Sequence, residues 1–330
     1  MEVAVNHLPT SAQRRFVIDD ATKVGEARRA AQTLASFEFS AEVAGKVAIV
    51  ATELANNLLR HAGGGELLLQ TLGNGEKAVI ELLSIDRGPG MHDVTLCMRD
   101  GYSTAGTPGT GLGAMRRLAD LFDIYSQPGE GTVVLARFGA DAHRFGVVSV
   151  PLEGEIDCGD GWHVESGSEG TAVLVVDGLG HGTFAAEAAR VAIETFAAMA
   201  FSAPHDIMTR AHAAMSKTRG GAGACALICE GRVSYAGIGN ITGYLISPGQ
   251  SQGLVSHNGT LGMGTRRVQQ FEYTHAQGAV LVMHSDGISA RWDLKSRADL
   301  LVRHPAVIAG VIYRDHRRGR DDATVIVVPA

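Results

Sequence analysis

The sequence has few cysteines, no long apolar run and no excess of basic residues. Its four cysteines, Cys97, Cys158, Cys225 and Cys229, show no zinc-type pairing along the chain. Cys225 and Cys229 lie at even spacing in an apolar stretch, which predicts that both face the core from one side of a strand. A soluble protein in a reducing, cytoplasmic setting fits this cysteine usage best.

Neither a membrane nor a nucleic acid is expected as a partner. No apolar run approaches the roughly 18 residues that a membrane-spanning helix needs. The first residues lack a basic region followed by an apolar block, so we expect no signal peptide. The formal net charge of -6 argues against binding nucleic acid through a broad basic surface.

Length and composition predict two domains with sizeable cores. A chain of 330 residues suggests about two domains, and hydrophobic residues make up 45% of it against 19% charged residues. The 42 glycines cluster beside acidic residues without a periodic tract, which indicates tight loops near a site. A short linker at 139–146 places the first domain at 1–140 and the second at 141–330.

One predicted helix in the first half carries a carboxylate and an amide on the same face. Ser40 is suited to cap this helix, which we expect to run to about His61. Glu53 and Asn57 are four residues apart and therefore neighbours on its surface. Taken alone, this pattern also fits a solvated helix face.

Two glycine-rich segments follow the helix. A strand-like run ends at Asp86-Arg-Gly-Pro-Gly90, and the stretch 106–113 precedes a predicted helix from Ala114 to Leu121. Glycines before a helix N-terminus offer free N–H groups and the positive end of the helix dipole to an anion such as phosphate. The spacing is neither that of a Walker loop nor that of a dinucleotide fingerprint.

Together the three segments carry a family resemblance. Glu53-Leu-Ala-Asn-Asn57, Asp86-Arg-Gly-Pro-Gly90 and Gly109-Thr-Gly-Leu-Gly113 resemble the N, G1 and G2 boxes of the GHKL ATPase superfamily. Within it they are most similar to the anti-sigma serine kinases of the RsbW and RsbT type. The resemblance covers residues 10–140 and implies an α/β domain, with helices layered on one sheet, that binds ATP and Mg²⁺.

This resemblance also implies a role for each matched residue. Glu53 would be the catalytic base that accepts the proton of a substrate serine, and Asn57 would hold Mg²⁺ against the ATP phosphates. Asp86, supported by Thr132, would bond the adenine amino group. The implied ATP-binding residues are Asn57, Asp86, Gly88, Gly90, Gly109, Thr110, Gly111, Leu112, Gly113 and Thr132. An inactive nucleotide-binding domain that only sequesters a partner remains an alternative.

Acidic residues recur at strand edges in the second half. The apolar run from Val173 ends on Asp177, and a glycine-rich turn then leads into an Ala-rich helix predicted from Thr183 to Ala200. Such a strand end can hold a metal ion, although Asp as an ordinary turn residue gives the same pattern. The acidic positions are Asp160, Asp177, Asp286, Asp321 and Asp322. If they converge, these oxygen ligands suit a two-metal hydrolytic site.

A second resemblance covers residues 146–330. Asp177-Gly-Leu-Gly-His-Gly, His284-Ser-Asp286-Gly and Asp321-Asp-Ala-Thr are similar to the motifs of the type 2C metal-dependent protein phosphatases, in the SpoIIE and RsbX branch. It implies a β-sandwich flanked by helices, with Asp177 and Asp286 as catalytic residues. The implied ligands of two Mn²⁺ or Mg²⁺ ions are Asp160, Asp177, the Gly178 carbonyl, Asp286 and Asp321. No basic phosphate clamp is evident in the sequence.

The two resemblances together predict a bifunctional partner-switching regulator. Its kinase half would phosphorylate a serine of a small STAS-domain protein, and its phosphatase half would remove that phosphate. A sigma factor or a stressosome-like assembly is a further expected partner. Alternatively, only the phosphatase half is catalytic, and the first domain binds nucleotide as a sensor or sequesters a STAS protein or sigma factor. A scaffold without either activity is the third alternative.

Overall fold

The computed structural model describes residues 13–99, 111–140, 143–264 and 267–330. The chain divides into two compact units, Met1–Arg144 and Phe145–Ala330. Within the described residues, no helix has the length and apolar character needed to span a bilayer.

The first unit places its helices against one face of an antiparallel sheet. The strands are β1 (Arg14–Ile18), β2 (Gly65–Leu72), β3 (Val79–Ile85), β4 (Leu121–Gln127) and β5 (Gly131–Phe138). They lie in the order β1-β2-β3-β5-β4, and every neighbouring pair is antiparallel. Alternate residues such as Leu67 and Leu69 of β2, and Ile80 and Leu82 of β3, enter the core beneath the helices.

The helices of the first unit are α1 (Ala21–Ser36), α2 (Ala41–Asn57), α3 (Val94–Cys97) and α4 (Gly111–Leu118), with a 3₁₀ turn at Gly75–Lys77. The two predicted helices, α2 and α4, differ from the predictions at their ends. Ser40 caps α2 as expected, but α-helical geometry stops at Asn57 and continues as a π-helical turn, Leu58–Ala62. The helix α4 begins before Ala114 and ends at Leu118, because Leu121 already belongs to β4.

The second unit contains two sheets. The strands are β6 (Gly146–Val150), β7 (Asp160–Gly167), β8 (Gly170–Gly178), β9 (Gly221–Cys229), β10 (Arg232–Ile238), β11 (Thr242–Ser247), β12 (Gln250–Leu254), β13 (Ser256–His257), β14 (Phe271–Thr274), β15 (Val280–His284) and β16 (Ala323–Pro329). The front sheet has the order β13-β10-β9-β8-β7, with β14 also paired to β10, and the back sheet has the order β12-β11-β15-β16-β6. Strand β7 contacts β16 of the other sheet.

Helices cover both sheets of this unit. They are α5 (Thr183–Ala197), α6 (Pro204–Ala214), α7 (Ala298–Leu301) and α8 (Pro305–His316), with a 3₁₀ turn at Met215–Lys217. The helix α5 contacts β7 and β8, α6 contacts β9 and β10, and α8 contacts β6 and β16. The predicted fold class is therefore confirmed: an α/β chain with one helix-on-sheet unit and one sandwich flanked by helices.

Strand β7 was missed in the sequence. Only its first two residues are buried and its last three are exposed, so its hydrophobic pattern is too weak to indicate a strand. The strand matters because Asp160 is its first residue and lies opposite Asp177 of β8. Two of the predicted acidic positions thus become neighbours through an element that the sequence pattern did not reveal.

Candidate functional site

The predicted base and metal ligand of the first unit lie at the C-terminal end of α2. Glu53 and Asn57 are half-buried, and Asn57 is the last α-helical residue before the π-helical turn. A π-helical turn widens the helix and is frequent at functional sites. Gly63, with φ of 73°, ends the turn. The structure thus presents both side chains at a helix end rather than along a regular solvated face.

Asp86 organises the turn that follows β3. Its Oδ1 accepts hydrogen bonds from the backbone N–H of Gly88 at 2.8 Å and of Thr132 at 3.1 Å. The backbone N–H of Asp86 donates to the Thr132 carbonyl at 2.9 Å. The Thr132 hydroxyl lies 2.9 Å from Ser126 Oγ, which also accepts from the N–H of Met91 at 2.8 Å. Thr132 therefore supports the Asp86 turn through its backbone, as a β5 residue beside the end of β3.

Both glycines of the second segment occupy positions with no room for a side chain. Gly90 has φ of 66°, and a methyl group built on it would lie 2.0 Å from the Gln127 carbonyl oxygen. A methyl group on Gly88 would lie 2.7 Å from Cα of Ala62, at the end of the π-helical turn. The Asp86 turn therefore packs directly against the segment that follows Asn57.

The third segment meets the first at Gly111. A methyl group built on Gly111 would lie 3.4 Å from Glu53 Oε2, which places the start of α4 beside the predicted base. Gly113 is buried and Leu112 packs against the core. Gly109 and Thr110 lie outside the described residues. The described parts of the three segments thus converge on the C-terminal end of α2.

In the second unit, both sheets deliver carboxylates to one place. Asp160 and Asp177 face each other across β7 and β8 of the front sheet. Asp286 follows β15, and Asp321 and Asp322 precede β16, in the back sheet. Ser285 Oγ connects the sheets, because it donates to Asp160 Oδ2 at 2.6 Å and accepts from the N–H of Thr324 at 3.0 Å.

The carboxylates are close enough to perturb one another. Burial raises the pKa of Asp177 to about 7, and the charges of Asp286, Asp321 and Asp322 add to the effect. Burial, and then the charge of Asp177, raises the pKa of Asp160 well above its usual range. Burial, opposed by the Asp322 N–H and reinforced by Asp286, also raises the pKa of Asp321. Carboxylates held together against mutual repulsion form an environment that favours cations.

Asp321 and Asp322, the adjacent acidic residues before β16, lie in different environments. Asp322 is 2% exposed, and its two carboxylate oxygens accept from the backbone N–H of Leu152 at 2.7 Å and of Gly159 at 2.8 Å. Asp321 is less buried, and its Oδ1 accepts from the N–H of Asp322 at 2.9 Å. Asp322 is thus occupied in fixing the loops before β7, which leaves Asp321 as the member of the pair that faces Asp286.

Two glycines allow the acidic loops to approach each other closely. A methyl group on Gly178 would lie 2.2 Å from the Ala185 carbonyl oxygen, and one on Gly287 would lie 1.8 Å from that of Asp322. Gly287 is directly bonded to Asp286, so the contact with Asp322 ties the loop after β15 to the segment before β16.

As the side chains stand, no group of three or more His, Cys, Asp or Glu across the described ranges is arranged to enclose a metal ion.

Asn240 belongs to the acidic site, although no role was predicted for it. Its Nδ2 donates to Asp286 Oδ2 at 2.8 Å, and it also bonds to Asp177. It follows Gly239, whose φ is 89°. In the sequence, the one signal for this residue is that Tyr235-Ala-Gly-Ile-Gly-Asn240 resembles RsbX. His181, in contrast, lies 2.7 Å from Glu155 through its Nδ1 and so shapes the loop after β8.

Comparisons with known proteins assign both units. Residues 17–138 match the family model described as the histidine kinase-like ATPase domain, and residues 167–329 match the one described as stage II sporulation protein E, SpoIIE. The serine/threonine-protein kinase RsbT of Bacillus subtilis is 35% identical over 91 residues, which are 28% of this chain and 68% of RsbT. The chain belongs to the RsbT family of kinase-like ATPases and carries a SpoIIE phosphatase domain.

Two further similarities concern a phosphatase and a solved structure. The phosphoserine phosphatase RsbX of Bacillus subtilis is 26% identical over 146 residues, which are 43% of this chain and 73% of RsbX. A solved structure described as the bacterial stressosome, a modular system that has been adapted to control secondary messenger signalling, is 28% identical to this chain, with a TM-score of 0.51. The match covers 56% of this chain and 97% of the chain in that structure. The predicted fusion, and the prediction of an enzyme with phosphatase and kinase-like halves, are confirmed.

Proposed function

We propose that this chain is a bifunctional regulator that phosphorylates and dephosphorylates a serine of one STAS-domain protein. The observation that carries the proposal is that each unit assembles its own site from residues distant in sequence. In the first unit Gly111 lies beside Glu53, which precedes Asn57 by four residues on α2, and the acidic cluster forms in the second. The similarity to RsbT and to RsbX supports opposed activities on related substrates.

In the phosphatase unit, water replaces the seryl oxygen on phosphorus. A P–O bond forms to water, the P–O bond to the seryl or threonyl oxygen breaks, and that oxygen gains a proton, which yields inorganic phosphate. We assign Asp160, Asp177, the Gly178 carbonyl, Asp286 and Asp321 as ligands of two Mn²⁺ or Mg²⁺ ions, because they supply the oxygen donors that such ions prefer. Bound ions would supply charge neutralisation and an activated water. Asn240 and Ser285 hold two of these carboxylates in place.

In the kinase unit, the chain's residues position ATP and remove a proton. Asn57 would hold Mg²⁺, and Glu53 would accept the proton of the substrate serine while the γ-phosphoryl group moves to its oxygen. Asp86 would bond the adenine amino group, with Thr132 beside it. Gly88 and Gly90 keep the wall of the site free of side chains, and the segment from Gly109 to Gly113 would wrap the phosphates.

The proposed setting is a cytoplasmic partner-switching circuit. RsbT, RsbX and the structure described under the bacterial stressosome support a STAS-domain protein as the shared substrate. A sigma factor or a stressosome-like assembly would be a further partner. In the alternative function, the first unit only binds nucleotide or sequesters a partner, and the second unit alone is catalytic.

One experiment separates these functions. The purified chain is incubated with a STAS-domain substrate and ATP–Mg²⁺, and separately with the phosphorylated substrate and Mn²⁺. We expect phosphate transfer that Glu53→Ala abolishes without loss of substrate capture, and phosphate release that Asp177→Asn and Asp286→Asn abolish. Capture without transfer by the parent chain would favour the alternative, and absence of both reactions would refute enzymatic function.

A further inference from the structure

Arg219 lies beside the turn that follows Asp177. Arg219 is exposed and sits between the 3₁₀ turn Met215–Lys217 and β9. The next residue, Gly220, accepts a hydrogen bond through its carbonyl from the N–H of Leu179 at 2.9 Å. Gly221 then pairs with Gly178 in the ladder of β8 and β9. The backbone thus fixes Arg219 next to the turn that follows Asp177.

The guanidinium group itself lies against that turn. Arg219 Cζ is 5.0 Å from the centroid of the Phe184 ring, in a cation–π arrangement at the start of α5. A methyl group built on Gly180 would lie 3.3 Å from Arg219 Nη1. Phe184 is 62% exposed, so the stacked ring leaves the guanidinium in contact with solvent. A planar cation is therefore held beside the turn that follows Asp177, and its N–H donors are open to solvent.

Two cationic side chains near the acidic loops, His181 and Arg317, have partners of their own. His181 contacts Glu155, and Arg317 stacks on Tyr313 and donates to its hydroxyl at 2.8 Å. Within the described ranges, no ion pair forms at Arg219. A phosphomonoester dianion that approaches several carboxylates meets repulsion, and a guanidinium binds phosphate oxygens through paired, charge-assisted hydrogen bonds.

We propose that Arg219 binds the phosphate of the phosphoserine or phosphothreonine substrate, and that Phe184 holds the guanidinium in position. This rests on the proposed phosphatase function and deepens it by naming a specificity residue for the phosphate. The interaction is made before and during hydrolysis, so it contributes mainly to substrate binding. Because the guanidinium is exposed, the expected effect lies at the low end for a charged hydrogen bond, at about tenfold.

The test measures steady-state hydrolysis of a phosphoserine peptide with Mn²⁺ by the full chain. We expect Arg219→Ala to raise KM about tenfold with kcat changed less than about threefold, and Arg219→Lys to recover part of the loss. Phe184→Ala should raise KM by a smaller factor. Arg190→Ala is the matched control, since it removes an arginine of the same unit that already pairs with Glu194, and its KM should equal that of the parent.

A binding measurement keeps this proposal distinct from the phosphatase function. Inorganic phosphate is titrated by calorimetry into the Mn²⁺-loaded chain, and we expect about tenfold weaker binding in Arg219→Ala. If the parent chain does not hydrolyse the peptide but Arg219→Ala binds inorganic phosphate more weakly than the parent, the phosphatase function is refuted and the phosphate site is supported. An unchanged KM and unchanged phosphate binding in Arg219→Ala would overturn the assignment.

Discussion

Asp177→Asn should stabilise the metal-free second unit while it abolishes phosphatase activity. The pKa of Asp177 is raised from 3.8 to about 7, so the unfolded chain releases its proton at lower pH than the folded one. Stability therefore falls as pH rises from about 4 to 7 and stays low above that range. The shift corresponds to roughly 4 kcal/mol at pH 8 and roughly 2 kcal/mol at pH 5. Asparagine keeps the shape of the side chain without its charge.

Tryptophan fluorescence during urea unfolding measures this effect in the relevant unit. Both tryptophans of the chain, Trp162 and Trp292, belong to the second unit. With chelator present, we expect the free energy of unfolding of Asp177→Asn to exceed that of the parent by about 2–4 kcal/mol at pH 8. The difference should be clearly smaller at pH 5. Asp293→Asn is the control, because hydrogen bonds from Lys295 lower the pKa of this exposed residue and its loss should not stabilise the protein.

Either of two results would refute this reasoning. If metal-free Asp177→Asn is no more stable than the parent at pH 8, burial and the neighbouring carboxylates do not destabilise the ionised Asp177 in the folded chain. If its advantage is the same at pH 5 and pH 8, the gain does not come from ionisation. Adding Mn²⁺ should reverse the order, since ions that bind only the folded parent stabilise it by mass action.

Four further variants test single features of the two units. Gly90→Ala should destabilise the first unit by more than about 1 kcal/mol, because of its positive φ and the contact with Gln127, as measured by hydrogen exchange. By the same measurement, Arg137→Ala should lower the free energy of unfolding of the first unit by about 3–5 kcal/mol, since it removes the ion-pair partner of the buried Glu81. Asn240→Ala should lower kcat about tenfold without unfolding the second unit. Burial lowers the pKa of His163 from its ordinary value of 6.5, so the free energy of unfolding should fall as the pH drops below 6.5. In His163→Phe, urea titrations should show a smaller decrease over the same pH range.

Local signals were sufficient for the elements that carry strong patterns. The Ser40 cap and apolar stripe predicted α2, and the continuous apolar run to Asp177 predicted β8. The end of α2 was beyond such signals, because the π-helical turn after Asn57 packs against Gly88 and its loop. Strand β7 was missed for a related reason, since only its first two residues are buried and its pairing with β8 defines it.

The candidate sites show the same division. The acidic residues could be named because they stand at strand edges beside small residues, whereas their convergence depends on how two sheets meet. Asn240 and Arg219 were not predicted as site residues, because their roles depend on contacts with Asp286 and Phe184, which are 46 and 35 positions away in the chain. The sequence around a polar or basic loop residue does not indicate such a contact.

Opposed activities in one chain lead to a prediction about ATP consumption. With ATP, Mg²⁺, Mn²⁺ and a small amount of STAS-domain substrate, each phosphate added by the first unit would be removed by the second. The parent should then consume many ATP molecules per substrate molecule, Asp177→Asn should stop at one per substrate serine, and Glu53→Ala should consume none. The assay measures ADP and inorganic phosphate over time. A parent that stops at one equivalent would show that the two units do not act on the same serine under these conditions, and the bifunctional proposal would fail even if each reaction occurs separately.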